Sequence, residues 1–175
     1  MKKKVLHSYL AVLVRCCRGS PAQPKQEKRQ MQFIYADGGR KAAGRIGHTG
    51  DCVCRAICNA TGRPYMEVYN ALAEGNGTQR KSKHDSGKRR QTASDGIDVK
   101  RKWFKDYMHS LGFSWTPTMK IGQGCKVHLR EDELPKGSLV VNVSRHYTCV
   151  KDGVLFDTHD CSRDGTRCVY GYWSL

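Results

Sequence analysis

Apolar residues recur at helical spacing in three stretches of the first two thirds of the chain. Small and apolar side chains at every third or fourth position predict a helix over residues 52–60 and another over 64–74. Gly62 suits the end of the first of these helices. A third helix is expected after Asp98. Four of its residues are expected to face inward: Trp103, Phe104, Tyr107 and Leu111.

The C-terminal third alternates short apolar runs with turn residues, which is typical of strands. Four strands are predicted there, over residues 138–143, 147–150, 154–157 and 169–173. The tripeptide Lys151-Asp152-Gly153 is a tight-turn signal that joins the second and third strands as a hairpin. A further short strand is predicted over residues 32–35. The pattern therefore favours an α+β fold, with N-terminal helices packed on a C-terminal antiparallel sheet.

Two stretches lack the apolar periodicity of a packed core. Residues 1–30 contain a Pro- and Gly-containing breaker cluster and predict a flexible basic tail before one folded domain over residues 31–175. Residues from about 75 to 97 are polar and predict a mobile surface loop. Six residues of this loop are candidates for binding nucleic acid or an acidic protein: Arg80, Lys81, Lys83, Lys88, Arg89 and Arg90.

The formal charge of +15 is large for a chain of 175 residues. Such a charge bears on partners and solubility rather than on the fold, and it favours polyanions. Binding through neutralised phosphates would be independent of sequence and sensitive to salt. The alternative is an ordinary solvated loop, because neither a zinc-finger motif nor an aromatic sheet motif accompanies the charges.

The chain has nine cysteines, an odd number that does not favour a secreted disulfide framework. Lys2 to Lys4 precede an apolar stretch over residues 5–14, but this stretch contains polar residues and no cleavage site follows it. It is also too short to span a bilayer. We therefore expect a reduced, cytoplasmic and monomeric protein without a membrane span. Export or attachment to a membrane surface is the less favoured alternative.

Metal binding is a second possible use of the cysteines. Cys52, Cys54 and Cys58 offer three thiols, but their spacing does not match the paired ligands of a structural zinc site. Cys161 and Cys168 bracket a loop and are candidates for joining such a site or for forming a disulfide. We expect neither a metal nor another cofactor.

The cysteine at the expected helix start has the strongest chemical context. A thiol attacks a carbonyl as the thiolate, which a helix N-terminus and a nearby imidazole both stabilise. Cys52 opens the first predicted helix, and His146 begins a predicted strand. Across the predicted hairpin, Asp157 lies close enough to orient the His146 ring. Two alternatives remain open: Asp160 in place of Asp157, and His159 in place of His146.

The order of these residues resembles that of the papain-like thiol hydrolases. The segment Gly50-Asp51-Cys52-x-x-Arg55-Ala56 is also similar to the nucleophile motif of ovarian-tumour (OTU) type deubiquitinases, and His146-Tyr147 is similar to their His-aromatic pair. In many papain-like enzymes a Gln about six residues before the Cys holds the oxyanion, and Ile46 occupies that position here. The expected oxyanion donors are then the backbone N–H of Cys52 and a group of His48 or Thr49.

The resemblance implies a papain-like domain in which Cys52 attacks, His146 transfers the proton and Asp157 orients His146. The implied activity is that of a thiol hydrolase, a peptidase or an isopeptidase, with a protein or peptide as substrate. The alternative is a non-catalytic papain-like scaffold that binds nucleic acid or an acidic protein through the basic loop. In that case Cys52 is a buried structural thiol, and His146 caps a strand. In either case Arg55 is expected to form salt bridges.

Overall fold

The computed structural model describes residues 30–47, 49–78 and 92–175. Outside this range lie all but the last residue of the predicted tail, His48, and the six basic candidates of the predicted loop. The three helices are α1 (Cys52–Thr61), α2 (Tyr65–Gly77) and α3 (Lys102–Ser110). The six strands are β1 (Gln32–Tyr35), β2 (Ser114–Pro117), β3 (Ser138–Val143), β4 (His146–Lys151), β5 (Val154–Asp157) and β6 (Val169–Ser174).

The strands form one mixed sheet in the order β1-β5-β4-β3-β6-β2. The expected α+β class is confirmed, but the expectation of a purely antiparallel, C-terminal sheet is wrong. Strand β1 comes from the start of the described chain and pairs in parallel with β5. Strand β2, which follows the last helix, pairs antiparallel with β6 and was not predicted. Its four residues are mostly exposed and show no alternation, so the sequence pattern gives no strand signal there.

Both faces of the central strands are buried. On one face Val140, Tyr147 and Trp173 pack with the three helices. On the other face Leu139 and Val141 pack with residues of the loop that includes Leu129 and Leu134. Successive residues of a strand point to opposite faces, so the uninterrupted apolar run over residues 139–141 follows from burial on both sides.

Helix α1 lies against strands β3, β4 and β5 and also contacts α2. Six of its ten residues are buried, and two of these are alanines. Gly62 ends the helix in the left-handed conformation, with φ of 73°, and its N–H donates to the carbonyl of Cys58 at 2.8 Å. Because α1 packs against β4, its first turn lies beside the start of that strand, and Cys52 is near His146.

Helix α2 extends beyond its predicted end at residue 74 and includes Gly75 to Gly77. A Cβ atom at Gly75 would lie 2.2 Å from the Trp103 ring, so glycine here allows α3 to pack closely on α2. Helical glycine is unfavourable by itself, which is why the sequence predicts a loop. Phe104 is fully buried as predicted, and Met108, which was not among the predicted inward residues, is buried beside it.

The hairpin between β4 and β5 has the predicted tight turn. Lys151 pairs with Val154, and the two residues between them, Asp152 and Gly153, have φ of 49° and 87°. Positive φ at both central positions is the type I′ arrangement, whose twist matches that of the strands. Within the described ranges, no helix has the length and apolar character needed to cross a membrane.

Candidate active site

Cys52 is the first residue of α1 and is half-buried. It lines an open cavity of about 570 Å³, together with residues of the segment 35–51 and of the loops around His146 and His159. The N-terminal end of a helix carries unpaired N–H groups and a partial positive charge, both of which favour an anion. The thiol therefore lies where a thiolate is stabilised and where a ligand can reach it.

His146 and Asp157 lie on adjacent strands and are hydrogen-bonded. The β4–β5 register pairs Cys149 with Phe156, so its continuation brings Thr148 opposite Asp157. The hairpin prediction allowed either Tyr147 or Thr148 opposite Asp157, and the structure has the second of these registers. The ring Nε2 of His146 lies 2.6 Å from Oδ2 of Asp157, and both side chains are largely buried. The His146 ring also hydrogen-bonds with the Cys52 thiol.

The alternative candidates, Asp160 and His159, lie in a different environment from Asp157 and His146. Asp160 is exposed, and its Oδ1 accepts the backbone N–H of Ser162 at 2.8 Å. His159 is also exposed, with its ring centroid 5.1 Å from that of His146. The structure thus brings Asp157, rather than Asp160, to the imidazole of His146 and leaves His159 at the rim of the cavity.

The electrostatic environment favours the ionised forms of the thiol and the imidazole. Burial raises the pKa of Cys52, but hydrogen bonds from the His146 ring and the Tyr147 backbone, with the charges of His146 and Arg55, bring it below its ordinary value. Burial lowers the pKa of His146, but the hydrogen bond to Asp157 is the foremost of the contacts that raise it to about 11. Both shifts favour the thiolate–imidazolium form of the pair over its neutral form.

Asp157 is the anion that supports the imidazolium. Burial raises its pKa, but the hydrogen bond and the charge of His146 outweigh this and hold the pKa below its usual range. Its Oδ1 also accepts the backbone N–H of Thr158 at 2.7 Å. A carboxylate held on both oxygens in this way fixes the orientation of the ring that it contacts.

A buried ionic network next to the thiol was missed from the sequence. Asp51 is only 2% exposed, and its carboxylate contacts Nε of Arg40 at 2.9 Å, Nε of Arg55 at 3.0 Å and the hydroxyl of Tyr65 at 2.5 Å. The spacing of Asp51 and Arg55 at the start of a helix is an available signal, since carboxylate and cation four residues apart share one face. The participation of Arg40 and Tyr65 depends on the tertiary fold.

Arg55 links this network to the His146 partner. Besides Asp51, its guanidinium lies 3.6 Å from Oδ1 of Asp157 and donates to Oγ1 of Thr158 at 2.5 Å. The expectation that Arg55 forms salt bridges is confirmed. Because Asp51 precedes the nucleophile and Asp157 contacts the imidazole, Arg55 fixes the two halves of the site relative to each other.

Replacing Arg55 with glutamine should destabilise the fold by about 3 kcal/mol, because it leaves buried carboxylates with one cation fewer. The matched control is Arg63→Gln on the neighbouring segment. Arg63 forms an exposed ion pair with Glu67, four residues on, and its loss should cost about 0.5 kcal/mol or less. Urea unfolding of the two variants measures the difference, and equal losses would contradict the positioning role of Arg55.

Of the expected oxyanion donors, the structure describes Cys52 and Thr49. Thr49 lines the cavity, but its hydroxyl donates to the carbonyl of Ser94 at 2.8 Å, and the Gly50 N–H donates to the same oxygen at 2.7 Å. The first α1 hydrogen bond runs from the N–H of Arg55 to the carbonyl of Asp51, so the Cys52 N–H precedes the helical ladder. The role of the Cys52 N–H and that of Thr49 stay predictions, and His48 is outside the described residues.

In the part of the chain that the structure describes, one group has the ligand types and proximity of a metal site: His146, Asp157 and Cys161, with ligand atoms within 4.8 Å of one another. Two of these three residues are the hydrogen-bonded pair described above. At the Cys54 thiol, the hydrogen bond with Cys58 and burial raise the pKa.

Cys125 and Cys168 form a disulfide. The expectation of a fully reduced chain is therefore not met, and the considered pairing of Cys161 with Cys168 is wrong. An isolated antiparallel bridge between His128 and Cys168 brings the two segments together, which the sequence does not reveal. Cys161 has a free, buried thiol 4.0 Å from Oδ2 of Asp157.

Comparison with known proteins leaves this site to be interpreted from its own geometry. No family model matches the chain, and neither a curated protein nor a solved structure matches it.

Proposed function

We propose that this protein is a papain-like thiol hydrolase, a peptidase or isopeptidase, with Cys52 as nucleophile. The observation that supports the proposal most is the 2.6 Å contact between His146 and Asp157 beside a cysteine at a helix N-terminus. A thiolate, an imidazolium and an orienting carboxylate are the three groups that acyl transfer by a cysteine requires. They come from three separate elements, α1, β4 and β5.

In the proposed reaction, the Cys52 thiolate attacks a carbonyl carbon, and the carbonyl π electrons move to oxygen. The resulting oxyanion lies at the N-terminal end of α1, where the Cys52 N–H is the first candidate donor. His146 gives its proton to the leaving amine, and the C–N bond breaks to leave a thioester. His146, now neutral, then takes a proton from water, which attacks the thioester and releases the acid and the thiolate.

The accessibility of the Cys52 thiol supports a reaction with a substrate rather than a purely structural role. Cys54, Cys58, Cys149 and Cys161 are buried, whereas Cys52 is half-buried and lines an open cavity. Burial raises the pKa of Cys149 to about 12, which keeps that thiol protonated and unreactive. Among the free cysteines of the described chain, Cys52 combines a lowered pKa with access to the cavity.

Alkylation with iodoacetamide at mildly acidic pH, followed by peptide mapping, tests the proposal. One cysteine, Cys52, should react about 10²-fold faster than the other free cysteines, because an ordinary thiol is almost fully protonated there. The full-length protein in urea serves as the control, since unfolding should remove the difference. Uniform, slow labelling of the native protein would favour the non-catalytic scaffold instead.

A further inference from the structure

The cavity at Cys52 adjoins a second cavity of about 620 Å³. Both are lined by Arg145, His146 and His159, so the two meet at the imidazole that contacts Asp157. We call the two cavities together the groove. A ligand whose carbonyl reaches Cys52 lies against residues of the groove on either side of His146.

Basic side chains outnumber acidic ones along the groove. In the first cavity Arg40 and Arg55 are engaged by buried Asp51, and three further cations remain: Lys41, Arg45 and Arg145. The second cavity adds Arg163 and Arg167. Cys52 and His146 do not offset these cations, because the neutral pair and the thiolate–imidazolium pair both sum to zero charge.

The remaining acidic side chains of the groove are bound to their own turns. The carboxylate of Asp37 accepts the backbone N–H groups of Gly39 and Lys41, both at 2.9 Å. Asp160 accepts the N–H of Ser162. Among the described residues neither carboxylate forms a salt bridge with a groove cation. The groove has a net positive charge because seven Lys and Arg side chains line it against three Asp side chains.

In the cavity that Cys52 lines, Lys41 and Arg145 are the cations best placed to meet a ligand. Both are exposed, and within residues 30–47, 49–78 and 92–175 neither forms an ion pair. Arg45 is held differently, with its guanidinium 4.0 Å from the centroid of the Tyr69 ring. Arg145 directly precedes His146, in the two-residue turn between β3 and β4, and has φ of 57°. Its position relative to the imidazole is therefore fixed by the hairpin.

We propose that the groove selects acyl substrates with carboxylate side chains beside the scissile carbonyl, that is, an acidic peptide segment. The inference rests on the proposed function, because it assigns the substrate class of the same site. Lys41 and Arg145 are the binding residues that recognise the carboxylates. A nucleic acid fits the charge but offers phosphodiesters, whereas the thiolate at the base of the groove reacts with carbonyl carbon.

Three peptidyl vinyl sulfones of equal length, with Glu, Gln or Lys next to the electrophile, test the proposal. The Cys52 sulfur forms a bond to the vinyl carbon β to the sulfone, the C=C π bond breaks, and the carbon α to the sulfone takes a proton, so no group leaves. The second-order rate constant at low salt should fall in the order Glu, Gln, Lys, with about a tenfold advantage of Glu over Gln. This advantage should shrink as salt is added, because exposed charges are screened.

The double variant Lys41→Gln/Arg145→Gln should reduce the Glu advantage to about twofold or less. The matched control, Lys105→Gln/Lys120→Gln, removes the same charge from exposed positions outside the groove and should keep the full advantage. Arg145→Gly separates charge from folding. Glycine adopts positive φ without strain, so the melting temperature of this variant should not fall. Its rate advantage for the Glu probe over the Gln probe should decrease.

The outcomes separate the two proposals. If no vinyl sulfone labels Cys52 faster than the buried cysteines, the proposed function is wrong. The proposed substrate class is wrong if Cys52 is labelled rapidly but the Glu probe reacts no faster than the Gln probe. It is also wrong if the double variant keeps the same Glu advantage as the parent. An unreactive Glu-rich peptide should also slow labelling by the Gln probe more than a single-stranded RNA of equal charge. Stronger inhibition by the RNA would overturn the acidic-peptide assignment in favour of a nucleic acid.

Discussion

Cys52→Ala should reduce acyl transfer by at least about 10³-fold while changing the free energy of unfolding by about 1 kcal/mol or less. The variant removes the sulfur that forms the proposed thioester, and no other described thiol has both a lowered pKa and access to the cavity. The small cost in stability follows because Cys52 is half-buried and lines an open cavity, so the loss of its sulfur leaves little enclosed empty space. Hydrolysis of a peptide substrate and thermal unfolding measure the two effects.

Cys54→Ser is the matched control for this prediction. Cys54 is two residues away on the same helix and is fully buried, so serine should lower stability through packing and an added polar group. Its activity, measured below the melting temperature, should stay within a fewfold of the parent. Retention of activity within about tenfold in Cys52→Ala would refute the assignment of the nucleophile.

Asp157→Asn should lower the rate of Cys52 alkylation at neutral pH by about 10- to 10²-fold. Burial lowers the pKa of His146, and the hydrogen bond to Asp157 is the largest of the contacts that raise it to about 11; the charge of Asp157 adds to this effect. Without the carboxylate, the imidazole becomes neutral at a lower pH. The thiolate then loses its cationic partner, and its pKa rises.

The pH dependence distinguishes this effect from simple misfolding. In the parent, alkylation should increase as Cys52 ionises below its ordinary pKa, and the ion pair should persist until pH approaches about 11. In Asp157→Asn the rise of the alkylation rate with pH should occur at higher pH than in the parent. Thiolate ultraviolet absorbance, recorded with pH, follows the same ionisation without a chemical step. An unshifted profile in a folded variant would contradict the role of Asp157.

The same pKa shifts predict how stability changes with pH. Asp157 has a lowered pKa in the folded state, so its contribution is present above the ordinary carboxyl pKa of about 4 and is lost as pH falls through the folded value. His146 has a raised pKa, so its contribution is complete below about 6.5 and is lost as pH rises toward about 11. The stability difference between parent and Asp157→Asn should therefore be largest between about pH 4 and 6.5.

Local sequence patterns determined most of the secondary structure and the catalytic candidates. The periodicity after residue 52 and the left-handed Gly62 define α1, and the Asp152-Gly153 turn sets the β4–β5 register. That register, in turn, is sufficient to bring Asp157 toward the strand that His146 opens. These features depend on residues close in sequence, where side-chain period and turn conformation are encoded directly.

Only the tertiary structure decided the contacts between distant segments. Strand β1 joins the sheet in parallel beside β5, Cys125 pairs with Cys168, and Arg40 reaches the carboxylate of Asp51. The positive groove likewise forms because Lys41 and Arg145, distant in sequence, line the same cavity. No periodicity records such pairings, since they depend on how the helices and the sheet pack, and packing is a property of the whole core rather than of any segment.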